Sequence, residues 1–80
     1  MTDAALLERL AALEHDQWVS WTRHLLAVEP GISAARRTKW EALCVPYADL
    51  SEDEKEKDRE WARHVLALLR GPPRLLTDEE

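Results

Sequence analysis

Apolar residues recur at Leu6, Leu7, Leu10, Leu13, Trp18, Trp21, Leu25 and Val28. Steps of three and four residues are the signature of an amphipathic helix. Thr2 or Asp3 can cap its start. Glu29-Pro30-Gly31 ends it, because proline pushes the preceding residue out of the α region and glycine favours a turn. The pattern predicts a first helix over about residues 3 to 28. Ser33 can cap a second, shorter helix, AARRTKWEALC, with Trp40 and Leu43 facing inward and Pro46 as its stop. VPYADL reads as extended or turn-like. Ser51 and Glu54 then form a capping box, each side chain answering a free backbone N–H of the other. Glu52, Asp53 and Glu54 suit the positive end of a helix dipole. This third helix runs through WARHVLALLR and stops at Gly71-Pro72-Pro73, with Arg70 in its last turn. There is no strand signal, internal repeat or low-complexity linker. The expected fold is all-α: a small three-helix domain with two long helices packed against each other. One domain is expected over residues 1–73, followed by a flexible tail over 74–80 unless Leu75 and Leu76 dock.

Polar residues interrupt both long stripes. At 100° per residue, the apolar arc of the first helix centres near Leu10, Trp21 and Leu25. Glu14 falls inside it, and His15 sits at its edge, one turn before Trp18. Val19 and Leu26 lie off this arc, which hints at a second contact face. In the third helix the arc holds Trp61, Val65, Leu68 and Leu69, and Asp58 falls inside it. A buried carboxylate is costly unless it is paired. Candidate partners are His15, Arg23, Lys55, Arg59 and the Tyr47 hydroxyl. The placement predicts a polar cluster joining the two helices near His15, Tyr47 and Asp58, with Glu14 near it or holding its own base. Such a cluster can fix helix register, or it can edge a pocket beside Trp faces.

Composition narrows the function. The chain has 80 residues, with 11 basic against 16 acidic side chains and a net charge of −5. That balance argues against nucleic acid, whose binding depends on Lys and Arg replacing counterions. Arg36, Arg37 and Lys39 form one short patch, followed by Glu41. Cys44 is the only cysteine, so no internal disulfide is available and a reducing compartment is expected. MTDAALLERL lacks signal-peptide character, and no apolar run reaches membrane-spanning length. A soluble cytoplasmic protein with no membrane contact is expected. Four tryptophans and no phenylalanine serve either as a compact core or as stacking surfaces.

Two motifs carry a resemblance. The first is the Glu-His-x-x-Trp-x-x-Trp-x-Arg run, at Glu14, His15, Trp18, Trp21 and Arg23. The second is Tyr-Ala-Asp-Leu-Ser-x-x-Glu-Lys-x-x-Asp-Arg, from Tyr47 to Arg59 through Ser51, Glu54, Lys55 and Asp58. Together they resemble the RyR domain, named for the repeats of ryanodine receptors, and especially its short bacteriophage and bacterial form. The resemblance implies a mostly helical module without catalysis. It also implies sensing of nucleotide-derived ligands, since paired RyR repeats accept adenine nucleotides with the base stacked on tryptophan. One departure matters. The larger family's Gly-Trp-x-Tyr-Gly segment is replaced here by LLAVEPGISAARRTKW. Trp40, with Arg36, Arg37 and Lys39, is a substitute stacker and phosphate partner by inference from these residues alone.

The reading that follows is a non-enzymatic binding module for a nucleotide-derived ligand. Its candidate ligand-binding residues are His15, Trp18, Trp21, Arg23, Trp40, Tyr47, Lys55, Asp58 and Arg59. Trp61 is a further stacking candidate, and Arg36 and Arg37 are further phosphate partners. A full pocket in so short a chain is expected to need a homo-oligomer. The alternative is a phage or bacterial interaction module acting through self-association or a host protein. No cofactor, metal or catalytic residue is expected. Ser20 and Cys44 lack the spacing of a nucleophile, and His15, His24 and His64 form no helical metal pair.

Overall fold

The structure is a computed structural model that describes residues 2–70. It contains α1 (Asp3–Val28), α2 (Ala34–Leu43), a 3-10 turn (Tyr47–Asp49) and α3 (Glu52–Arg70). No strand occurs among the described residues. The all-α, three-helix expectation is met, with α1 and α3 forming the main packed pair. The expected stop at Gly71 and the tail over 74–80 lie outside the described residues.

The helix ends follow local chemistry. Thr2 caps α1, its hydroxyl accepting from the Ala5 N–H at 3.0 Å. Asp3 is left to bind Arg70 through two 2.8 Å hydrogen bonds. Ser33 caps α2 by accepting from the Arg36 N–H. At the other end of α1 no basic residue occupies the last turn. Arg37 of α2 reaches across instead, donating to the Leu26 carbonyl at 2.7 Å and the Glu29 carbonyl at 3.4 Å. A helix C-terminus leaves carbonyls unpaired and carries partial negative charge. The guanidinium answers both needs and ties α2 to α1. The box expected at α3 forms only by half. Ser51 accepts from the Glu54 N–H, but the Glu54 carboxylate binds Lys57 at 3.2 Å.

α1 and α3 run antiparallel, since Asp3 meets Arg70 at one end and His15 meets Asp58 further along. This register sets Ala11 opposite Ala62, and both are fully buried at 0% exposure. Small side chains let two helix backbones approach closely, at the short end of the usual 8–10 Å. The buried face of α1 is Ala11, His15, Val19 and Thr22, a three-and-four spacing rotated from the expected stripe. Trp21, expected at the centre of that stripe from the helical period, is 60% exposed. Trp61 is 62% exposed, and Leu68 and Leu69 are more so. Val19, expected on a second face, belongs to the core. The reason is steric: a seam set by alanine has no room for indole.

This seam makes a direct prediction. Ala62→Leu overpacks it and should lower unfolding free energy by about 1–3 kcal/mol, measured by urea denaturation. An unchanged midpoint would show that the helices do not meet at Ala62.

Candidate functional site

His15 is the hinge of the polar cluster. Its side chain is buried, with 4% residue exposure. Nε2 lies 2.7 Å from the Val45 carbonyl oxygen. A carbonyl only accepts, so Nε2 must carry the proton. Nδ1 faces Asp58 Oδ2 at 3.6 Å. The imidazole thus ties α1 to the connecting segment before Tyr47 and turns its other nitrogen toward α3. Trp18, one turn on, stacks with it at 6.0 Å between centroids and 20° between planes.

Beside this hinge a groove opens between α1 and α3, with a volume of about 340 Å³. Trp18 and Trp61 contribute its aromatic surface, and Leu43 and Leu50 its aliphatic surface. Glu14, Glu54 and Asp58 line it with carboxylates, alongside His15 and Lys57. Burial pushes the Asp58 carboxyl above the usual aspartate range, His15 opposes this, and the charges of Glu14 and Glu54 push it further up. Lys57 binds Glu54. Among the described residues, no cation forms an ion pair with Glu14.

A second cluster lies around Tyr47. The phenol donates to Glu8 Oε1 at 2.9 Å. Arg59 Nε donates to Glu8 Oε2 at 2.6 Å, and its Nη1 donates to Glu52 at 3.0 Å. Lys55 Nζ stands 5.6 Å above the Tyr47 ring and 3.6 Å from Glu52. The Arg59 hydrogen bond holds the Glu8 carboxyl below the usual glutamate range. Burial, followed by the hydrogen bond to Glu8, pushes the Tyr47 hydroxyl up to about 12. Here the charges are matched, in contrast to the groove.

The candidate residues therefore divide. Of the expected cluster, His15 and Asp58 face each other at the groove, with Trp18 beside them. Tyr47 lies 6.5 Å from His15 by ring centroids, but its hydroxyl serves Glu8. Lys55 and Arg59 join Tyr47 there. Arg23 donates to the Cys44 carbonyl at 3.4 Å, closing the end of α2. Trp40 lies on α2 with Arg36 5.7 Å over its ring, beside a shallow depression that Lys39 also lines. Trp21 does not line the groove. Glu8 went unnoticed in the sequence, although it lies seven residues before His15 and thus on the same helix face. No group of residues suited to hold a metal occurs among the described residues. Within the same residues, no helix is long and apolar enough to cross a membrane.

Two measurements follow. His15→Ala strands the Val45 carbonyl and should cost about 1–3 kcal/mol of stability by chemical denaturation. For Tyr47 the sign is set by its raised value: between about pH 10 and 12 the folded phenol keeps a proton that the unfolded chain has lost. Stability contributed by that proton is present below pH 10 and is lost as pH rises through this window. Tyr47→Phe should remove this alkaline decline while costing about 0.5–1.5 kcal/mol at neutral pH, read from melting temperature against pH. Compared with known protein families, curated proteins and solved structures, the chain matches none.

Proposed function

We propose that this chain is a non-enzymatic, RyR-like binding module whose ligand seat is the groove between α1 and α3. One observation carries the reading: a cavity of about 340 Å³, within the usual range for small-ligand sites, bounded by two tryptophans and a few convergent polar groups. Such a surface suits a flat ring, and the base of a nucleotide-derived ligand is the ring that the resemblance implies. Trp18 and Trp61 offer faces for stacking. Asp58 and Glu14 offer acceptors for ring N–H groups. His15 already bonds Val45 and faces Asp58, which favours a supporting role over proton transfer. Arg23, Arg36 and Arg37 stand apart from this groove, so the ring rather than a phosphate is the recognised part.

Tryptophan fluorescence tests the reading. Titration with a panel of nucleosides and nucleotides should change the emission, and Trp18→Ala should weaken the response at least about tenfold, the loss of one stacking contact. No response to any member of the panel would sink it.

A second reading rests on a separate observation. Trp21, Leu68 and Leu69 are exposed at 60%, 82% and 72%, and exposed apolar residues often mark contact surfaces. Under this reading the chain acts by self-association or by docking a host protein. Sedimentation velocity over a wide concentration range decides the homo-oligomer version. A Leu68→Glu, Leu69→Glu double variant should abolish any self-association without unfolding the exposed face it changes.

A further inference from the structure

The groove is lopsided in charge. Three carboxylates line it, from Glu14, Glu54 and Asp58, against one lysine and one buried imidazole. The lysine, Lys57, is engaged by Glu54, and the imidazole points its protonated nitrogen away to Val45. Glu14 is half-buried and forms no ion pair among the described residues. Two indoles, Trp18 and Trp61, line it as well, and the face of an indole is the negative part of its π system. A phosphate entering here would meet three carboxylates against one lysine that is already paired. A positive charge would meet carboxylates and indole faces together, and both attract it.

We infer that the groove selects a positively charged flat ring, a ring-N-alkylated purine or a pyridinium, over its neutral counterpart. This rests on the groove being the ligand seat, and it names the ligand's charge. The flat body takes the contact with Trp18 and Trp61. The charge, spread over the ring, is balanced by Glu14 and Asp58. Asp58 lines the groove with the His15 imidazole opposite it at 3.6 Å, and burial with its acidic neighbours pushes its carboxyl up, so an incoming cation gives it a second partner. The phosphate end of a nucleotide stays outside the groove.

The test is isothermal titration calorimetry on the full chain with matched probes. These are 7-methylguanosine against guanosine, and N-methylnicotinamide cation against nicotinamide. The cationic member of each pair should bind about tenfold more tightly, between the strengths of an exposed and a desolvated cation–π contact. Glu14→Gln and Asp58→Asn should each shrink that ratio, and Trp18→Ala should weaken both members. Circular dichroism checks that each variant is folded, and Glu14→Gln, an isosteric change with no ion pair to lose among the described residues, keeps the test informative if Asp58→Asn unfolds. Equal binding of charged and neutral members overturns the inference and leaves the groove as a ring site. Tighter binding of guanosine monophosphate than of guanosine also overturns it. No binding by any probe removes the groove reading and this inference with it.

Discussion

Everything in this molecule depends on how closely α1 and α3 approach at Ala11 and Ala62. The antiparallel register sets two fully buried alanines opposite each other, where leucines would hold the helices further apart. The gain in backbone proximity comes with a restriction on everything nearby. Bulky side chains on the neighbouring turns cannot enter the seam and are turned to its flanks. Trp18 and Trp61 lie on those turns, and both line the groove. Polar groups do the joining that a wider hydrophobic core would do elsewhere. Asp3 with Arg70, Glu8 with Arg59, and His15 with Asp58 bracket the alanines along the pair.

The two flanks of the seam differ in electrostatic finish. Around Tyr47, each carboxylate has a cation within reach: Glu8 has Arg59, and Glu52 has both Arg59 and Lys55. Exposed pairs of this kind contribute little individually, and a connected set contributes more through shared geometry. The opposite flank, at the groove, keeps an excess of negative charge. Glu56 with Arg63 shows that α3 can pair its acids along its own surface where nothing else is asked of them. The imbalance at Glu14 and Asp58 is therefore local, and the overall net charge of −5 does not by itself explain it.

Element positions were legible in the sequence because caps and breakers act locally. Thr2, Pro30, Ser33 and Ser51 specify their helix ends through contacts within a few residues. The packed face of α1 was not legible, because its buried residues are Ala11, His15, Val19 and Thr22 and not the large apolar ones. Ala11 and Thr22 carry little hydrophobic weight, yet they are among its most buried residues. The His15–Asp58 contact was legible because Asp58 falls inside the apolar arc of its helix and His15 sits at the edge of the other. The partnership of Tyr47 with Glu8 was not, since it joins positions 39 residues apart and neither residue interrupts its own pattern. Arg37 likewise looked like part of a basic surface patch, while its task is to close the end of another helix.

That last contact bears on how the molecule breathes. α2 has no buried residue. Arg37 holds its start to α1, and Arg23 of α1 holds its end through the Cys44 carbonyl. A helix secured at its ends by side chains, rather than along its length by packing, opens as a unit when those ties release. Its backbone amides are then expected to exchange with solvent sooner than those of α1 and α3. Because Leu43 at the end of α2 also lines the groove, the same opening would loosen one wall while the other two stand.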